Sequence, residues 1–455
     1  MMMLFTAAWI SGIFQEYSGN VQETITINEV VTDSRVEADH ALFVPIAGEN
    51  FDGHDFLLQA VENGAAAVLW DRSKQLPESL PNDFPVFYTE DTVTALQELA
   101  SKYREEVDPV VIGITGSNGK TTTKDLVAAV AKTTRRTHYT DGNFNNHIGL
   151  PLTILAMKPD TEVLVLEMGM SAFGEIDLLS RLALPDHVII TNIGESHIEY
   201  LGSREGIAKA KLEILHGLKK GGSIIIDGDE PLLEHLHKEP NCIRCGFQPE
   251  NDLVITEVEV KQEQTDFRVA DESYTVSLLG SHHTKNAAYA LAVAGKLGIP
   301  PEKCRQAFKS LELTGMRFEM ITGPGGESII NDAYNASPTS MKAAIEVVKQ
   351  MNDFEQKILV LGDVYELGEF AETMHRSVAE VITEPITALL TFGEDAAYIT
   401  QEVNERQPAI PSRHFTSRQA LVGALKPYLQ KDAVILFKAS RGLQFESLIN
   451  EIIHT

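Results

Sequence analysis

The amino-acid sequence predicts an α/β protein of three domains. At 455 residues the chain exceeds the roughly 250–300 residues at which a single hydrophobic core stops growing. Between residue 110 and about residue 315, short uninterrupted apolar runs alternate with helix-like stretches, as in a parallel sheet buried on both faces. From about residue 316 the same alternation begins again. The expected arrangement is a small α/β domain over 1–107, a central parallel-sheet domain over 108–315 and a C-terminal Rossmann-like α/β domain over 316–455.

Residues 1–105 mix short strand-like and helix-like pieces, the last being "DTVTALQELASKYREE" with Val93, Leu96, Leu99 and Ala100 at helical spacing. A charged, proline-containing break at Asp108-Pro109 predicts a linker. "VVIGITG", "TEVLVLEMG", "HVIITNIG" and "GGSIIIDGDE" read as four buried strands. "VITEVEVKQEQTDFRVADESYTVSLLG" alternates instead, which predicts an antiparallel addition, and "NAAYALAVAGKLG" is a helix with a glycine stop. Beyond it "ESIINDAYN", "KILVLGD", "ALLTFGE" and "AVILFKAS" supply the strands of a second open sheet.

A 43% hydrophobic and 23% charged composition is that of a soluble globular enzyme. A formal net charge of −27 argues against nucleic-acid binding, which draws on a basic surface. The three cysteines make no disulfide framework, and the Cys242-x-x-Cys245 pair, without a second pair nearby, reads as structural rather than as a zinc site. The apolar start "MMMLFTAAWISGIF" carries no Lys or Arg, and the first basic residue is Arg35, the wrong charge order for export. No stretch approaches the roughly 20 apolar residues of a membrane span. A cytoplasmic protein without integral membrane contact is expected.

The sharpest motif is Gly116-Ser117-Asn118-Gly119-Lys120-Thr121-Thr122, directly after a buried strand. Glycines that tolerate positive φ, followed by a helix N-terminus, aim successive backbone N–H groups at one anion. Lys120 would neutralise β- and γ-phosphates, and the Thr121 hydroxyl would ligate Mg²⁺. A strict phosphate loop has glycine where Ile114 stands. Glu167 closes the run "VLVLE", at the strand end where open α/β sheets bind ligands, and is a second Mg²⁺ ligand candidate. His197, in "ITNIGESHIEYLG", is a candidate for a second ion.

"GITGSNGKTT", "DGNFNNHIGLP", "LEMG" and "TNIGESHIEYLGSREGIAKAKLEI" together resemble the ATP-dependent Mur ligases of bacterial peptidoglycan synthesis, whose phosphate loop lacks the same glycine. The resemblance implies ATP and two Mg²⁺ ions, with Thr121 and Glu167 on one ion and Glu167 with His197 on the other. It makes Lys120, Glu167, His197 and Lys211 the catalytic set. Lys211 matches a lysine that is carbamylated in related ligases and would then be a metal ligand; otherwise Lys209 and Lys211 form a solvated helix face. Asn143, Asn146 and Gly149 would orient phosphate or substrate, or merely form a turn. His282 and Asn286 match the segment that meets adenine, although His283 replaces the usual asparagine there.

The flanking segments narrow the substrate. Residues 1–105 lack the glycine fingerprint of the first two ligases of the series, and the "DNPR" of the diaminopimelate-adding third is absent. Instead "TDSRVEADHALFVPIAGENFDGHDF" resembles a UDP-sugar-binding domain, through Ser34, Arg35, Phe43, Gly48, Asp52, Gly53 and His54. "NDAYNASPTSM" and "VLGDVYELGEFAETMH" resemble the ligase that adds D-alanyl-D-alanine to a UDP-N-acetylmuramoyl-tripeptide. By the same resemblance Arg317, Asp332 and Tyr334 lie near ATP, and Asn335, Asp363, Lys438, Ser440 and Arg441 bind substrate. The expected reaction passes through an acyl phosphate, in a monomer. The alternatives are another amino-acid-adding Mur ligase (diaminopimelate or lysine), a non-ligating phosphate-loop ATPase and a kinase.

Overall fold

The buried strands form where β-branched and leucine runs are long enough to be covered on both faces, and each is followed by a turn into a helix. The computed structural model describes residues 3–48, 50–261, 264–311 and 315–454. Its central sheet has nine strands. In spatial order they are Glu272–Val276, Thr265–Val269, Leu253–Val260, Cys242–Gly246, Ser223–Asp227, His187–Ile190, Val110–Thr115, Val163–Glu167 and Thr137–Tyr139. The strands from Thr137 to Val260 run parallel, while Thr265–Val269 and Glu272–Val276 add antiparallel, as the alternation predicts. Gln262 and Glu263 of that predicted addition lie outside the described residues. Chain order reverses at Val110–Thr115, so ligands are expected beyond its C-terminal end.

A five-stranded sheet precedes it, parallel apart from the edge strand Tyr17–Ser18, beside a two-stranded ribbon of Phe5–Thr6 and Thr26–Ile27. A six-stranded sheet follows, parallel except for Glu319–Thr322. The three-part α/β architecture agrees with the sequence. Among the described residues no helix is long and apolar enough to cross a membrane.

One expectation changes in detail. The predicted linker is a helix end: helix Thr92–Val107 stops at Asp108, whose left-handed backbone (φ 49°) turns the chain straight into the strand at Val110. That helix also bridges two parts of the molecule. Tyr103 Oη donates to Met157 O (2.9 Å) and Arg104 Nε to Leu182 O (3.1 Å). One apolar core accordingly runs from Leu42 and Leu69 through Leu164 and Ile190 to Ile330 and Leu359. Cys242 and Cys245 lie three apart on one strand and pack into cores on opposite faces of the sheet. They cannot share an ion, in keeping with their structural reading.

Candidate active site

The strand Val110–Thr115 ends in the phosphate loop, and the helix Lys120–Lys132 starts at its far side with Gly119 as N-cap. Gly119 has φ +80°, and a Cβ there would lie 2.8 Å from Asn286 Oδ1. A Cβ on Gly116 would fall 1.9 Å from Thr191 Oγ1. Both positions therefore require glycine, and Ile114 is a core residue of the strand with no part in the turn.

The loop's donors differ from the expected set. Ser117 N donates to Asn192 O (3.1 Å) and Asn118 N to Asn192 Oδ1 (2.9 Å), so these two amides hold the loop's shape. Asn118 O accepts from Thr191 Oγ1 and Asn192 Nδ2, and Ser117 Oγ accepts from Gly194 N. Thr123 N is the first to bond back into the helix, to Gly119 O. The amides left for an anion are those of residues 119–122 at the helix N-terminus. Lys120 Nζ donates to Gly116 O at 2.9 Å. Desolvation lowers its proton affinity and nearby Arg317 adds to that, while Glu167 opposes it.

Glu167 closes its strand as predicted and is buried. Its carboxylate accepts from Thr121 Oγ1 (2.7 Å) and from Asn145 Nδ2 (2.9 Å). Asn145 is a residue sequence reading missed. Asn146, singled out instead, caps the helix Gly149–Leu155 by accepting from Ile148 N and Gly149 N. The run "NFNNH" was the available signal, but the loop's turn decides which amide faces the carboxylate. His197 has φ +66° and precedes the short helix Ile198–Leu201. The two lysines of "AKAK" separate: Lys209 is exposed, whereas Lys211 is 2% exposed. Burial first, and then the charge of Lys120, hold the Lys211 amine well below the usual lysine range.

Lys120, Thr121, Asn145, Glu167 and His197 line a cavity of about 980 Å³ whose opposite wall comes from the C-terminal domain; Lys209 and Lys211 are not part of its lining. Arg317 stacks on Tyr334 (4.2 Å to the ring centroid), and Lys438 Nζ binds Asp332 Oδ2 (2.7 Å) and Asn335 O (3.1 Å). Asn143, His282 and Asn286 also line it. Farther along, Lys285 pairs with Asp227 (2.7 Å) and Asp229 (2.8 Å) and lies over Phe247, a set the sequence reading did not name. Arg317 Nε and Asn118 Nδ2 are buried without a hydrogen-bond partner on residues that line the cavity. Two stranded donors beside Lys120 and a helix N-terminus fit a polyanion.

Other predicted residues lie elsewhere. Asp363 does not line the cavity: its carboxylate accepts from Glu394 N (2.9 Å) and Ala396 N (2.7 Å) and braces that turn. Ser440 Oγ accepts from Tyr365 N, and Arg441 pairs with Glu446 (3.0 Å); neither lines the cavity. Ser34 and Arg35 lie in the turn after the strand Glu29–Val31, and Asp52 caps the short 3₁₀ helix Gly53–Phe56 that contains His54; none of them lines the cavity. Arg35 is exposed and paired with Asp33. His54 is buried with Nδ1 2.6 Å from Asp52, and burial of Asp52 is outweighed by hydrogen bonds from Lys74 and His54 that keep it ionised.

Comparison with known proteins accounts for this layout. Three family models match: "Mur ligase family, catalytic domain" over 26–104, "Mur ligase middle domain" over 114–294 and "Mur ligase, glutamate ligase domain" over 316–441. The chain is 48% identical to UDP-N-acetylmuramoyl-tripeptide–D-alanyl-D-alanine ligase of Bacillus subtilis, covering 95% of this chain and 94% of that protein. It superposes on a crystal structure of MurF from Acinetobacter baumannii with TM-score 0.87, 27% identity and 99% of each chain covered. Against MurF ligase from Thermotoga maritima in complex with ADP the TM-score is 0.80, with 29% identity over 94% of this chain and 97% of that one. The chain belongs to the Mur ligase family.

Proposed function

We propose that this protein joins D-alanyl-D-alanine to UDP-N-acetylmuramoyl-tripeptide, with cleavage of ATP to ADP and phosphate, in peptidoglycan synthesis. The observation that carries the reading is a single cavity in which the phosphate loop faces Arg317, Asp332 and Lys438, in a chain alike throughout to a ligase of that name. Residues 1–107 would take the UDP-sugar through Ser34, Arg35, Asp52, Gly53 and His54. Residues 108–315 would bind ATP, and residues 316–455 would bind ATP and the dipeptide, with Asn335 and Lys438 on the cavity wall. Substrates of this kind belong to the cytoplasm.

The donor set suits Mg²⁺. Among the described residues no three His, Cys, Asp or Glu side chains form a cage, and Mg²⁺ usually takes one or two protein ligands plus phosphate oxygens and water. Thr121 and Glu167, already in contact, would hold one ion. Glu167 with His197, and Lys211 once carbamylated, would hold another. When bound, the ions offset negative charge on the phosphates.

A carboxylate attacking a phosphate brings like charges together, so catalysis rests on positioning and on charge stabilisation. The tripeptide carboxylate oxygen forms a bond to the γ-phosphorus while the β–γ bridging bond breaks. Lys120 and the amides of residues 119–122 stabilise charge on the transferring group. The dipeptide amine then attacks the acyl carbon, phosphate departs and the nitrogen loses a proton. Lys438 and Asn335, on the wall opposite the loop, orient the incoming dipeptide. The test is phosphate release from ATP, omitting each substrate in turn. Release that needs both substrates, with a product heavier by the dipeptide less water, is the expected result. Release that ignores the dipeptide would leave an ATPase and overturn the reading.

A further inference from the structure

The geometry points to Glu366 as a positioning residue for His197, contributed by the C-terminal segment, so that seating of that segment completes the second metal site. This rests on the metal role given to His197 above. Glu366 Oε2 lies 2.5 Å from His197 Nδ1. The contact is an ion-pair approach outside hydrogen-bond geometry; a carboxylate this close to Nδ1 restricts how the ring can turn and leaves Nε2 as the nitrogen open to a metal ion.

The backbone holds the two side chains in place. Glu199 N donates to Glu366 O at 3.1 Å, directly tying the two loops together. Glu366 has φ +62° and His197 φ +66°, left-handed conformations that side-chain-bearing residues adopt only when neighbours hold them there. Gly368, at φ +52°, lets the turn approach: a Cβ there would lie 3.1 Å from Glu199 Cγ. Two further contacts fasten the same pair of surfaces. Thr339 Oγ1 donates to Glu195 Oε2 (2.7 Å), and Ser337 Oγ donates to Asn118 Oδ1 in the phosphate loop (3.0 Å). The "YELG" turn thus meets the loop carrying His197 while Ser337 meets the loop carrying Lys120. A segment that supplies dipeptide contacts also sets the metal-ligand histidine.

The test is Mn²⁺ titration of the full chain followed by electron paramagnetic resonance, with a non-hydrolysable ATP analogue and the tripeptide substrate present. Glu366→Ala is expected to weaken the second Mn²⁺ by about 10–100-fold and to leave the first unchanged. Glu366→Gln, which keeps the side chain's size and an oxygen beside Nδ1, is expected to recover much of that loss, and both variants should melt cooperatively. Unchanged Mn²⁺ affinity in a folded Glu366→Ala protein would overturn the inference. If His197→Ala loses no ion, the metal role of His197 falls, and this inference falls with it.

Discussion

Replacing Lys120 with methionine is expected to lower kcat by roughly a thousandfold, the upper range for removing one preorganised stabiliser of transition-state charge. The side chain lies in the anion site with its ammonium parked on Gly116 O. Desolvation and Arg317 already disfavour its proton, so a bound triphosphate relieves an unfavourable state instead of creating a new one. Folding should survive, since methionine removes a desolvated charge and keeps most of the side-chain volume. Steady-state kinetics with thermal melting will separate the cases. A large fall in kcat with an unchanged melt supports a role on the transferring phosphoryl. A loss confined to the KM for ATP would make Lys120 a binding residue only.

Lys211→Met is expected to raise stability and remove activity together. A fully buried amine beside Lys120 binds its proton less readily in the native protein than in the unfolded chain. Between the depressed native value and the ordinary 10.5 the unfolded state holds more protons. Stability therefore climbs with pH through that window, and the lysine is a cost at neutral pH. In CO₂-free buffer the methionine variant should melt higher, and its melting should lose that part of the pH dependence. A neutral buried amine is also the form that adds CO₂, giving a carbamate and one proton. Activity of the parent should accordingly fall when bicarbonate is stripped and return when it is restored, whereas the variant stays about 100-fold down under both conditions. A lower melting temperature with normal activity would make Lys211 a packing residue.

Much of this was legible in the sequence because it depends on local pattern. Apolar runs fix the strands of the central sheet, and the glycines at 116 and 119 are demanded by clashes with Thr191 and Asn286. Glu167, at a strand's last position, and His197, beyond a strand end, could be found as chemistry-bearing residues. What stayed hidden depends on tertiary direction. The amides of Ser117 and Asn118 looked like phosphate donors until Asn192, 74 residues away from Asn118, was seen to take Asn118 N–H. Asn145 and Asn146 are neighbours in an asparagine run, and only the turn decides that one meets Glu167 and the other caps a helix. Lys209 and Lys211 share a motif, yet helical rotation exposes one and buries the other. Asp363 has the residue type and strand-end position of a ligand, but the turn at Glu394–Ala396 uses both of its oxygens.

The central claim is that ATP cleavage activates a carboxylate instead of water. The most direct measurement labels the terminal carboxylate of the tripeptide with ¹⁸O and follows the label by mass spectrometry. An acyl phosphate keeps the carboxylate oxygen on phosphorus when the acyl carbon passes to the amine. Each phosphate released during ligation should then carry one ¹⁸O, and the new amide should retain the other. Phosphate that takes its new oxygen from solvent, with the carboxylate label left on the peptide, would contradict the account.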